Sequence, residues 1–415
     1  MTPQEKIEIK VLVSSAFRTL FVGRVNQLND VLSALRPGSH LLLFGMRGVG
    51  KTTFARLIPQ IIKAGKVCRQ LHDATVNCEE TDTFSGLWKR IFRELAYLTE
   101  SMDIGFGWQA LRSDDSFDSI APNRDLDCDD VRYVLGKITD ETMIIIDDLE
   151  KLTNDPARAQ LVETIRILSN HSVNATLILV GTADCPEALL PEYQSMERAL
   201  THVQVPRMSL NELVQVINTG LSAGTMTADN SVTTRIARLA HGFPQFADAL
   251  GLYSAFSAIE SGRTNMVEDD VLAATRTMVQ KSHSLHRDYK KATASPRREN
   301  IFSRVLSACA LAEAGEFGFF SASAVSLPMS RIMGRKYDIP NFSRHLFDFC
   351  EPRRGSVLKR VGELRRIRFR FANPMMQAFV VIHDYSNGCL TNEFFEEPEG
   401  RAQCGRINQT GGLEK

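Results

Sequence analysis

The chain has 415 residues, 43% apolar and 24% charged, with Lys+Arg and Asp+Glu equal at 49 each. That length calls for two or three domains, and no apolar run approaches the roughly 18 residues of a membrane span. Eight scattered cysteines without a C-x-x-C pair exclude a disulfide framework or zinc site and suit reduced cytosolic thiols.

The opening Met1-Thr-Pro-Gln-Glu-Lys lacks the basic and apolar regions of a signal peptide, so a cytoplasmic protein with no membrane partner is expected. Charge is uneven along the chain. Between Arg287 and Tyr385 there are 18 Lys+Arg against 9 Asp+Glu. A basic C-terminal region on an acidic remainder suggests a polyanion-binding module attached to a motor or switch.

In chain order, residues 1–20 are loosely helical. Phe21-Val22-Gly23-Arg24 precedes a helix through Leu28, Val31, Leu32 and Leu35. The linker Arg36-Pro37-Gly38-Ser39 then leads into the apolar run Leu41–Phe44, a buried parallel strand by its pattern. Gly45, Gly50, Lys51 and Thr52 fit G-x-x-x-x-G-K-[ST], the phosphate-binding P-loop. The helix behind it shows in the spacing of Phe54, Leu57, Ile58, Ile61 and Ile62. Strand, loop and helix thus occur in the order the chemistry needs. Gly45, Gly48 and Gly50 permit positive φ, so that backbone N–H groups, with those of Arg47, Val49 and Thr53, close around an anion. Lys51 is expected on the β/γ-phosphates of ATP, and Thr52 on Mg²⁺.

A second strand is expected near 74–77 and a helix over 84–98; residues 101–126 show no sustained period. Met143–Ile146 then runs into Asp147-Asp148, an apolar strand ending in two carboxylates. After a P-loop this pattern assigns Asp147 to the Mg²⁺ ion and Asp148 to polarising the attacking water. The strand Ala175–Val180 ends in Gly181-Thr182. Thr182 is either a sensor of the γ-phosphate or water, or a cap for the following helix. A fifth strand is expected over 202–205. Ser209 and Glu212 form a capping box opening a helix over 210–221. A helical lid follows: one helix to Ala240, a break at His241-Gly242-Phe243, a restart with Pro244 in its first turn, and a third helix over 268–281.

Residues 286–298 read as a polar basic connection and a domain boundary. Helices then surround Val305 and Leu346, and the period switches to two. Ile367, Phe369 and Phe371 alternate with Arg366, Arg368 and Arg370 about a Gly362-Glu363 turn, giving a hairpin with one arginine face. Asn373-Pro374 caps a last helix. Helices followed by a basic hairpin describe a winged helix. Residues 386–415 suit a disordered tail.

Taken together, Phe21-Val22-Gly23-Arg24, the P-loop, Asp147-Asp148, Val180-Gly181-Thr182, Gly242-Phe243-Pro244 and the winged helix resemble AAA+ and STAND-type P-loop ATPases. The resemblance is to origin-recognition initiators and transposition-regulator ATPases, over about residues 15–385. It implies an α/β fold: a P-loop NTPase (AAA+) parallel-sheet core over 1–205, a helical lid over 206–285 and a C-terminal winged-helix domain over 286–385. It implies that Val22, Gly23 and Arg24 contact the adenine side and that Pro244 brings the lid onto the base. Arg198 lies where this family supplies an arginine finger to a neighbouring subunit, which implies a homo-oligomer; the alternative is an ordinary helix-end arginine. Asp148 in place of Glu, Thr182 in place of Asn, and no arginine at the start of the second lid helix imply a slow switch ATPase. Lys359, Arg360, Arg366, Arg368 and Arg370 are the candidate contacts to double-stranded DNA; the alternative is a solvated edge that deters aggregation. A second class is a STAND-like signalling ATPase acting through a separate effector protein, as in multi-component phage defence.

Overall fold

The computed structural model describes residues 23–35, 38–64, 70–100, 124–190, 199–296, 300–362, 366–391 and 394. The expected helix in 1–20, Val22, the segment 101–123, Arg198 and residues 392, 393 and 395–415 of the expected tail lie outside the described residues.

Helix α1 (Val25–Ala34) precedes strand β1 (His40–Gly45), which is buried along its whole length. The phosphate-loop motif follows, and α2 (Lys51–Ala64) leads to β2 (Leu71–Asn77). Helices α3 (Phe84–Glu100) and α4 (Cys128–Gly136) come before β3 (Glu141–Asp147), α5 (Asp155–Asn170), β4 (Ala175–Thr182) and β5 (Leu200–Gln204). The five strands pair in the order β2-β3-β4-β1-β5, every pair parallel. Parallel strands need covered faces, which explains their unbroken apolar runs. Alternation places Leu41, Leu43, Ile145 and Val180 in the core beneath α2. Leu42, Phe44, Ile144 and Leu179 face the opposite core, with Trp88 of α3 and Ile165 of α5.

The lid is formed by α6 (Leu210–Ala223), α7 (Asn230–Ala240), α8 (Pro244–Glu260) and α9 (Glu268–Lys281). Both hydrogen bonds of the Ser209–Glu212 capping box are made, and Pro244 begins α8. A two-residue parallel pairing of β6 (Thr227–Ala228) with β7 (Asn265–Met266) ties the lid helices together.

The expected polar connection at 286–298 is corrected. Most of it is helix α10 (His283–Thr293), which buries Leu285, Tyr289 and Ala292. Their spacing of four and three is helical, but the intervening His, Arg and Lys residues mask it. A boundary at 286 would therefore cut a helix; the chain leaves regular structure only after Thr293. Beyond it lie α11 (Phe302–Ala310), α12 (Ala322–Met333) and α13 (Ser343–Asp348). An antiparallel hairpin of β8 (Leu358–Val361) and β9 (Arg368–Phe371) follows, then α14 (Met375–Ser386). Helix α12 carries Pro328 in its interior, which hides it in the sequence. An isolated antiparallel bridge joins Phe320 to Phe369 at the edge of this two-stranded hairpin. Asn373 accepts a hydrogen bond from Met375 N–H at the start of α14. Cys78, Cys128, Cys185, Cys309, Cys350 and Cys389 are free thiols. Among the described residues no helix is long and apolar enough to cross a membrane.

The end of β1 is crowded by its neighbour. At φ +151°, a Cβ added to Gly45 would lie 2.4 Å from the Val205 carbonyl oxygen. Gly45→Ala is expected to destabilise the protein by about 1–3 kcal/mol through overpacking at a rigid backbone. Urea unfolding checks this, and a change within error would show that the strand end can give way.

Candidate functional site

The register of the sheet assembles the site before any side chain is considered. Gly45 at the end of β1 pairs with Thr182 at the end of β4, and Asp147 ends β3 on the same edge. Crevices at the carboxyl ends of parallel strands are where such sheets hold ligands. Gly48 and Gly50 have φ of +86° and +93°, the conformations an anion-cradling turn requires. A cavity of about 620 Å³ opens there. The loop residues from Arg47 to Thr53 line it, together with Asp147, Asp148, Thr182, Arg24 and Pro244. All of these are expected from the sequence. Gly45 and Gly23 support the site from behind: Gly45 against Val205, Gly23 at φ +91° against Glu212.

Lys51 is 8% exposed. Its Nζ donates to the carbonyls of Gly45 at 3.1 Å and Met46 at 2.9 Å, and to Thr182 Oγ1 at 3.1 Å. Burial pushes its ammonium down to about 8, against the opposing pull of Glu150, Asp147 and Asp148. The Asp147 carboxylate is buried, and its Oδ1 accepts from Asp148 N–H at 2.8 Å. Asp147 and the Thr52 hydroxyl line the same cavity. Hard oxygen donors of this kind, beside a cradle for phosphate, fit Mg²⁺.

Asp148 adopts φ +56° and its Oδ2 accepts from Lys151 Nζ at 2.7 Å. Thr182 N–H donates to Glu150 Oε2 at 2.8 Å. The short helical turn that follows, Pro186–Ala188, starts after Cys185, so Thr182 does not cap it.

Arg24 lines the cavity, but its guanidinium donates to the carbonyls of Val49 and Pro206. Its backbone N–H meets Glu212 Oε1 at 3.0 Å. Arg24 thereby braces the loop against the root of the lid. Pro244 sits directly above the loop: a Cβ on Gly50 would lie 3.4 Å from its ring. Behind it on α8 come Gln245, Asp248, Ala249, Leu252 and Tyr253, all lining the cavity. Burial alone pushes the Asp248 carboxyl up to about 7. Glu150 and Asp248 are the acids that motif matching misses. Glu150 stands two residues after the Asp-Asp pair, and Asp248 one helical turn after Pro244.

The C-terminal region rests on the same loop. A Cβ on Gly48 would lie 2.9 Å from Met375 Cγ, and one on Gly318 3.1 Å from Met46 Cε. Arg370 forms an ion pair with Asp184, two residues beyond Thr182, and lies 4.6 Å over the Phe319 ring. The five basic candidates are thus divided. Arg370 turns inward, whereas Lys359, Arg360, Arg366 and Arg368 are exposed and make no ion pair among the described residues. Arg198 falls outside the described residues.

Residues 35–189 match the family model described as AAA domain. No curated protein matches the chain in sequence. Among solved structures, Orc1 of Aeropyrum pernix in complex with DNA is similar at 14% identity and a TM-score of 0.47, covering 91% of this chain and 96% of that one. Cdc6p of Pyrobaculum aerophilum gives 15% identity and 0.43, covering 91% and 98%. The RuvB Holliday junction branch migration motor of Thermotoga maritima gives 14% and 0.43, covering 85% and 93%. These three likenesses are distant.

The Asp248 carboxyl yields a pH prediction for the nucleotide-free protein. Its folded value of about 7 stands above the usual 3.8, so the folded state binds the proton more tightly than the unfolded one. Stability from this group is full below about pH 4 and is lost as pH rises to about 7. Asp248→Asn removes that loss. It is expected to raise the melting temperature more at pH 8 than at pH 4.5; an equal shift at both would mean the carboxyl is not held neutral.

Proposed function

We propose that this AAA+ chain is an ATP-dependent switch: it binds and slowly hydrolyses ATP, and its nucleotide state governs a basic C-terminal winged helix that contacts duplex DNA. The observation that carries this reading is one cavity where the glycine loop, Lys51, Asp147 and Thr182 meet beneath α8. Backbone N–H groups of the loop and the start of α2 receive the phosphates. Lys51 exchanges its two carbonyl partners for phosphate oxygens, regaining the charge compensation that burial denies it. Thr52 and Asp147 would hold Mg²⁺, which would supply positive charge to offset that of the phosphates. Val216, Ala249, Leu252 and Tyr253 offer the base an apolar wall.

Slow turnover follows from what lines the cavity. Gln245 stands at the start of α8 in place of a cation, and Thr182 ends the sensor strand. Missing groups of this kind lower rates by about 10²–10⁴. Arg198 of a neighbouring copy is the finger that completes the site, so hydrolysis belongs to a homo-oligomer.

The docked C-terminal region supports the switch half of the reading. Met375 packs on Gly48, and Arg370 reaches Asp184 beside the sensor strand. A change in the loop or the β4 end on ATP binding therefore bears directly on the hairpin. That inward turn of Arg370 also favours a second reading, in which the released hairpin meets a separate effector protein instead of DNA.

Lys51→Ala is expected to abolish ATP binding in equilibrium titration with a fluorescent ATP analogue; unchanged affinity would overturn the nucleotide site. For the DNA reading, each phosphate neutralised contributes about −0.9 to the slope of log K against log salt. Replacing Arg366 and Arg368 with Ala should flatten that slope by about 0.9 for each phosphate left without its arginine. A wild-type slope near zero would favour the effector protein.

A further inference from the structure

Three acids crowd the end of β3, and their surroundings differ. Asp147 is buried and aimed by its bond from Asp148 N–H. Asp148 is turned by its positive φ toward Lys151, which holds its Oδ2 at 2.7 Å. Glu150 sits one step further along, on the short helical turn Leu149–Lys151. It reaches back into the cavity, where its Oε2 accepts from Thr182 N–H at 2.8 Å. The Thr182 hydroxyl accepts from Lys51 Nζ at 3.1 Å. Glu150, Thr182 and Lys51 thus form one connected chain.

We infer that Glu150, more than Asp148, is the catalytic carboxylate that takes the proton of the attacking water in ATP hydrolysis. This rests on the ATPase reading above. One oxygen of Asp148 is already taken by Lys151 Nζ at 2.7 Å, outside the chain that links Glu150, Thr182 and Lys51. Glu150 makes no ion pair among the described residues, and its bond to Thr182 fixes one oxygen. Through Thr182, Glu150 is linked to the ammonium of Lys51, the cation expected on the terminal phosphate.

In the hydrolytic step, the water oxygen bonds to the γ-phosphorus while its proton passes to Glu150. The bond from the γ-phosphorus to the β,γ-bridging oxygen breaks, and its electron pair stays on that oxygen as ADP forms. Glu150 then returns the proton to solvent. Thr182 has a positioning role: its N–H orients Glu150, and its hydroxyl holds Lys51.

Glu150→Gln separates catalysis from positioning, because the amide oxygen still accepts from Thr182 N–H while the proton acceptor is lost. Its affinity for a fluorescent ATP analogue should match wild type, whereas kcat should fall by about 10²–10⁴. Asp148→Asn should lose less. If Glu150→Gln turns over at the wild-type rate, or if Asp148→Asn is the more damaging, the assignment is overturned. Should Glu150→Gln fail to fold, Glu150→Asp keeps the acid one methylene short; it should bind ATP normally and turn over more slowly, and a wild-type rate again overturns the assignment. A wild-type protein that binds ATP without hydrolysing it, alone or with DNA, overturns the ATPase reading itself, and this inference with it.

Discussion

The buried guanidinium of Arg24 joins three parts of the chain that have no covalent reason to meet. It is 2% exposed and pinned between the carbonyls of Val49 in the phosphate loop and Pro206 after β5. Its own N–H is held by Glu212 at the first turn of α6. Burial drives its pKa down to about 10, with the Glu212 carboxylate opposing that shift. A buried cation is costly unless its donors are satisfied. The carbonyls of Val49 and Pro206 must therefore stay where they are, and the loop cannot drift from the lid's root. Much of the site inherits its geometry from this brace.

A loop held so firmly is a good base for coupling. Met375 and Phe243 both approach Gly48, one from the C-terminal region and one from the lid. Arg207 lies 4.7 Å over the Phe243 ring and borders Gly318. Lid, loop and hairpin are therefore neighbours in a single packed core. Close-packed interiors transmit strain, because small displacements have no voids to absorb them. Under the proposed switch, phosphate on the loop and a base beneath the lid would act on the same apolar seam that seats the hairpin.

Local signals in the chain are legible where one element carries them. The parallel strands, the Ser209–Glu212 box and the restart of the lid at Pro244 each depend on a few adjacent residues. Elements hidden in the sequence have a diluted pattern. Helix α10 buries only Leu285, Tyr289 and Ala292 beneath a basic surface, and α12 carries an interior proline. The site shows the same division. Lys51, Thr52 and Asp147 announce themselves through motif spacing, whereas Glu150 and Asp248 stand outside any motif and enter the cavity by the geometry of a turn and a helix face.

Arginine exposes the limit most plainly. By its sequence period, Arg370 is equivalent to Arg366 and Arg368, all on one face of a strand. That much the alternation determines, because side chains on a strand repeat every second residue. Which member of the row meets solvent and which meets Asp184 depends on how the hairpin lies against the sheet. Likewise, sequence determined that Arg24 follows a glycine before a helix; it could not say that its charge would be spent on two carbonyls. The sequence alone settles periodicity, capping and the phosphate loop, since each arises from residues close in the chain. The partners of buried charges belong to the tertiary structure, since they come from segments some 25 to 190 residues apart.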